Sequence, residues 1–101
     1  KLYRMIFLPS QTKLDGKYLS LIMKIASYSN SHNSKIQIRA FASASGNRPT
    51  YARRVSLSRA LAVRSELIQF GVNSSSIDVR ALGESKDGNL TDRVDVVIKP
   101  Q

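Results

Sequence analysis

Three short runs in this chain alternate apolar and polar residues with a period of two. Ile36, Ile38, Ala40 and Ala42 alternate with Gln37, Arg39, Phe41 and Ser43. Ile77, Val79 and Ala81 alternate with Asp78, Arg80 and Leu82, and Val94, Val96 and Ile98 with Arg93, Asp95, Val97 and Lys99. Successive side chains of a strand point to opposite faces, so each run predicts a strand with one buried and one wetter face. Strands of this kind build a sheet covered on one side only.

Two segments are available to cover it. A first strand, Tyr3-Arg4-Met5-Ile6-Phe7-Leu8, ends at Pro9, and Asp15-Gly16 opens a helix. Its apolar residues Tyr18, Leu19, Ile22, Met23, Ile25 and Ala26 recur at spacings of three and four, and the polar run from Ser27 to Ser34 ends it. A longer helix runs from Pro49, a residue suited to a first helical turn, to about Phe70, with Gly71 placed as the left-handed cap. On a helical wheel Ala52, Ser56, Ala60, Val63, Leu67 and Phe70 form one narrow stripe, and Arg59 lies at its edge. Ser43 to Pro49, with Gly46 and Asn47, predicts a loop, and Asp87-Gly88-Asn89 a turn. The order strand, helix, strand, helix, strand, strand predicts an α/β two-layer sandwich: a mixed four-stranded sheet with two helices on one face and polar residues on the other. At 101 residues, residues 1–101 form a single domain.

The charge is uneven. Sixteen Lys and Arg against seven Asp and Glu give +9, of which residues 1–34 carry +4, residues 35–71 carry +6 and residues 72–101 carry −1. A basic surface suits nucleic acid, an anionic envelope polymer, or solubility alone. The nucleic-acid reading fails on pattern: the common RNA module needs another strand order and paired aromatics on its central strands, and only Phe41 is placed to stack.

Little in the inventory supports catalysis, and the chain is read as no enzyme. There is no cysteine, hence no disulfide, thiolate metal site or thiol nucleophile. The single histidine, His32, falls in a Ser/Asn-rich stretch read as a solvated loop, with no converging ligands for zinc. Gly46 lacks the lysine and hydroxyl offsets of a phosphate loop, so neither metal nor cofactor is expected. The longest apolar stretch, Leu19 to Ala26, is far short of the ~20 residues that span a bilayer. The chain starts at Lys1, so an upstream targeting or anchoring segment is expected to provide any membrane attachment.

The long helix contains Tyr51-Ala52-Arg53-Arg54-Val55-Ser56-Leu57-Ser58-Arg59-Ala60-Leu61-Ala62-Val63. Its Ser-x-x-Arg-Ala-x-x-Val element, with Leu67, Gly71-Val72, Gly83-Glu84-Ser85 and Arg93-Val94-Asp95-Val96, resembles the OmpA-like C-terminal domain, the peptidoglycan-binding module of Gram-negative envelope proteins. The resemblance spans nearly the whole chain. It implies a periplasmic, non-enzymatic domain of the cell envelope and outer membrane, with peptidoglycan as partner. In that family the helix arginine and a strand-end aspartate hold the amino-acid head group of a diaminopimelate stem. Arg59 matches the arginine and is the candidate partner of a ligand carboxylate. The family's strand end, Gly-His/Tyr-Thr-Asp, is here Ala40-Phe41-Ala42-Ser43, and the helix-start asparagine is Ala52. The aspartate is therefore expected to be missing and the region to be more positive than in its relatives, favouring an anionic partner. The candidate ligand-binding set is Arg59, Ser43, Ala42, Ala52, Ser56 and Arg93. Two other readings stand beside it: Arg59 as a structural residue paired with a neighbouring carboxylate, and the whole domain as a protein-interaction or structural module of an envelope assembly that has lost the peptidoglycan site.

Overall fold

The computed structural model describes residues 1–43, 49–85 and 91–100. Four strands, β1 (Leu2–Ile6), β2 (Lys35–Phe41), β3 (Ile77–Gly83) and β4 (Arg93–Lys99), and two helices, α1 (Leu19–His32) and α2 (Pro49–Gln69), follow in the order β1, α1, β2, α2, β3, β4. The sheet order is β1-β4-β2-β3, with β2 and β3 parallel and the other pairs antiparallel. This is the mixed, four-stranded two-layer arrangement expected from the alternation. The expected loop at Gly46 and Asn47 and the turn at Asp87-Gly88-Asn89 lie outside the described residues.

Both helices pack on one face. Met5, Ile36, Ile38, Ala40, Val94, Val96 and Ile98 from the sheet meet Ile22, Ile25 and Ala26 of α1 and Ala60, Val63 and Leu67 of α2. The α2 stripe is buried at Ala52, Ser56, Ala60, Val63 and Leu67, while Phe70, at the helix end, is exposed. Gly71 adopts φ +95°. Its N–H reaches Ile68 O and that of Val72 reaches Leu67 O, a Schellman closure that ties off the carbonyls α2 leaves unpaired.

Helix α1 runs further than its sequence suggests. The polar run from Ser27 continues the helix to His32, and Asn33, at φ +52°, closes it. Buried Ser29 makes this possible: its backbone carbonyl accepts from Ser34 N–H and its hydroxyl donates to Ser34 O. His32 is thus not a loop residue; its ring stacks on Tyr28 and hydrogen-bonds Tyr28 O at 2.9 Å. The helix-free face of the sheet also differs from expectation: it is polar, but Gln37, Arg93 and Asp95 within it are buried.

Candidate functional site

The carboxyl end of β2, the first turns of α2, the segment after β1 and the turn into β4 converge on one guanidinium. Arg59 is fully buried. Burying such a charge is costly unless its donors are satisfied, and here the chain supplies partners from three directions. Nε donates to Gln11 O at 2.6 Å, Nη2 to Leu8 O at 3.0 Å, and Nη1 to Phe41 O at 2.8 Å and to Asp92 Oδ1 at 2.9 Å. The Phe7 ring closes over the group at 4.9 Å. The Leu8–Gln11 turn that presents two of these carbonyls is self-locked: Gln11 N–H donates to Leu8 O, and Leu8 N–H to Gln11 Oε1. Ser10, at φ +68° within it, is linked to Tyr51 at the start of α2.

Asp92 is the residue the sequence reading missed. The strand-end position is Ser43, as read from the sequence, but a carboxylate reaches it from elsewhere in the chain, which the reading of the region as more positive did not include. Ser43 N–H donates to Asp92 Oδ1 at 3.1 Å, and Ser43 Oγ lies 3.1 and 3.0 Å from the two carboxylate oxygens. This makes Asp92 the counter-ion of Arg59, reaching Ser43 from the residue just before β4 instead of from the end of β2. Burial on its own would raise the Asp92 carboxyl, but the Ser43 N–H and then Arg59 and the Ser43 hydroxyl outweigh it and hold the group below the usual aspartate value. Asp92 is therefore an anion at neutral pH.

The other candidates separate. Ala42 is buried and its N–H donates to Gly83 O at 2.8 Å. Ser56 is buried, donates to Arg53 O and accepts from Gly83 N–H at 3.2 Å. Ala52 is buried against the same glycine: a Cβ on Gly83, whose φ is +71°, would lie 3.7 to 4.0 Å from the backbone of Ala52 and Arg53. A register shift between Ala40 and Phe41 brings Gly83 opposite Phe41 and sets up this close helix-to-strand contact. Ala42, Ala52 and Ser56 thus build the wall of the site and seat α2 on β3. Arg93 is not brought to Arg59. It lies on the helix-free face, buried, with Nε 3.1 Å from Asp95 Oδ2 and its guanidinium 4.0 Å from the centre of the Phe41 ring. A shallow depression lined by Lys1, Tyr28, His32, Ser34, Ile98 and Pro100 lies at the opposite end of the strands. Among the described residues no group of three His, Cys, Asp or Glu is placed to hold a metal ion, and no helix is long and apolar enough to cross a membrane.

Comparison with known proteins agrees with this architecture. A profile of the OmpA family matches residues 6–96. No curated protein sequence matches the chain. Among solved structures, the OmpA-like domain of FopA1 from Francisella tularensis superposes with a TM-score of 0.81 at 20% identity, over 98% of this chain and 72% of that one. The peptidoglycan-associated lipoprotein from Burkholderia pseudomallei gives 0.79 at 23% identity, over 95% and 89%. The periplasmic domain of Helicobacter pylori MotB gives 0.70 at 16%, over 99% and 80%.

Proposed function

Since the chain belongs to the OmpA family, we propose that it is a non-enzymatic domain of the Gram-negative periplasm that associates with peptidoglycan. The observation that carries this reading is the Arg59–Asp92–Ser43 cluster. It lies at the end of β2 and under α2, at the positions where the resemblance puts the head group of a stem peptide, and it supplies both a cation and a carboxylate there. A structural relative described as a peptidoglycan-associated lipoprotein and another described as a periplasmic domain support the assignment. The resemblance gives Arg59 to a ligand carboxylate; its burial and its four bonds to the chain's own oxygens support a supporting role within the site instead. Incubation of the purified domain with isolated sacculi tests the reading: saturable co-sedimentation at low salt, competed by soluble muropeptides, is expected, and its absence removes wall binding.

A second reading, an interaction module of an envelope assembly, is favoured by Leu57, Leu61 and Ile68, which are exposed at helical spacing on the outer side of α2. It predicts a domain that fails to sediment with sacculi, and sedimentation that survives Leu61→Glu counts against it.

A further inference from the structure

We propose that the ligand-facing charge of this site is the carboxylate of Asp92, delivered by the turn into β4, and that it receives an amine of the ligand while Arg59 acts as a positioning residue behind it. The inference rests on the peptidoglycan reading, in which ammonium groups on the peptide stems are the available cations.

Access separates the two charges first. The Asp92 side chain is 17% exposed and that of Arg59 is 0%. An incoming carboxylate finds no open face of the guanidinium, because Leu8 O, Gln11 O, Phe41 O and Asp92 already take four of its N–H groups. Valence points the same way. An ionised carboxylate has about four acceptor sites, and among the described residues Asp92 meets three donors: Ser43 N–H, the single hydrogen of Ser43 Oγ, and Arg59 Nη1. Two of the three bind Oδ1, and the Ser43 hydroxyl is shared with Oδ2. Among the described residues Oδ2 therefore has only the shared Ser43 hydroxyl, and it belongs to a side chain that is partly exposed. What the cluster has left to offer is an acceptor carrying negative charge, which selects a donor carrying positive charge.

Ser43 cannot replace Asp92 in this role, because its N–H and O–H are both turned onto that carboxylate. Arg59 contributes by fixing the rotamer of Asp92 and keeping it ionised. The polarity is thus opposite to the one expected when the chain is read without its fold: a local anion within a domain of +9.

The inference is tested first from the ligand side, on the unaltered protein, by following its amide signals with three probes. Diaminopimelate carries amines and carboxylates, cadaverine carries amines alone, and pimelate carries carboxylates alone. Shifts centred on Ser43 and Asp92 are expected with diaminopimelate and cadaverine, and none with pimelate; pimelate acting as strongly as diaminopimelate overturns the proposal. On the protein side, Asp92→Asn is expected to weaken diaminopimelate by about 10- to 100-fold, the range for losing a hydrogen bond to a charged group. The exchange Ser43→Asp with Asp92→Ser, which returns the carboxylate to the end of β2, is expected to recover most of that loss. A folded Asp92→Asn protein that binds like the wild type overturns the proposal, and if that variant does not fold, the three-probe comparison decides. Sedimentation with sacculi combined with the pimelate pattern removes this inference alone, whereas no sedimentation removes the reading beneath it.

Discussion

Two arginines are buried on opposite faces of the same sheet, and they are held by different means. Arg59, on the helix side, is caged by three backbone carbonyls and one carboxylate drawn from segments far apart in the chain. Arg93, on the open side, pairs with Asp95 two residues away on its own strand and lies on the Phe41 ring. Asp95 in turn takes Arg4 of β1 in a two-bond fork at 2.8 and 3.2 Å. Phe41 serves both, giving its carbonyl to Arg59 and its ring to Arg93. A caged guanidinium is part of the tertiary assembly, whereas a stacked one is an elaboration of the sheet; the consequences of deleting them should differ accordingly.

The largest effect is expected from Arg59→Ala. It leaves Asp92 without its counter-ion and takes from Gln11 O, Phe41 O and Leu8 O the bonds Arg59 made, Leu8 O keeping the Gln11 N–H. Breaking a buried pair in this way costs about 3–5 kcal/mol. That is a large part of the 5–15 kcal/mol typical of a small domain. Urea unfolding should show a domain barely folded at 25 °C; a midpoint near that of the wild type would mean that the cage is ornamental. Arg93→Ala is expected to cost less, about 2 kcal/mol, because Asp95 keeps Arg4 as a cationic partner when the Arg93 bond to it and the contact with the Phe41 ring are removed. Equal losses in the two variants would erase the contrast.

Acid should discriminate next. The Asp92 carboxyl sits below its ordinary value when folded, so its contribution is complete above the unfolded value of about 4 and is lost as pH falls through the folded one. The urea midpoint should fall with acid more steeply in the wild type than in Asp92→Asn, and parallel curves would take Asp92 out of the stability account. Asp78 is shifted the same way, by Gln37 chiefly and then Arg80, but its side chain is exposed. Its Arg80 pair, at 3.2 Å with both side chains more than half exposed, should be the weakest case. Arg80→Ala is expected to leave the midpoint unchanged, as surface pairs usually do.

The elements were legible in the sequence for reasons tied to particular residues. The alternation through Ile36, Ile38 and Ala40 and the stripe through Ala60, Val63 and Leu67 are direct records of which face is buried. Gly71 marked the end of α2 because its backbone needs positive φ. The extension of α1 was hidden because Ser29 satisfies itself locally, so that a polar residue fills a core-facing position and breaks the apolar period. The partner of Arg59 was hidden for a different reason. Ser43 and Asp92 are 49 residues apart, and nothing in either segment states that β4 lies beside β2. Once that neighbour and the register pairing Phe41 with Arg93 are known, Asp92 must come to the end of β2. Local periodicity encodes faces; it does not encode strand order, and the charge of the site depends on strand order.

The cage around Arg59 also has a bearing on time. Its four acceptors lie 48, 18, 33 and 51 residues away. No local hairpin or helix turn can satisfy the guanidinium, so it gives up its water only after the segment behind β1, the end of β2 and the turn into β4 have converged. An interaction that needs all these segments together is expected to form late, so Arg59→Ala should speed unfolding far more than it slows folding, which a chevron of the two rates against urea checks. The arginine under α2 is thus a latch on the native state: it sets how long the domain, once assembled, stays assembled.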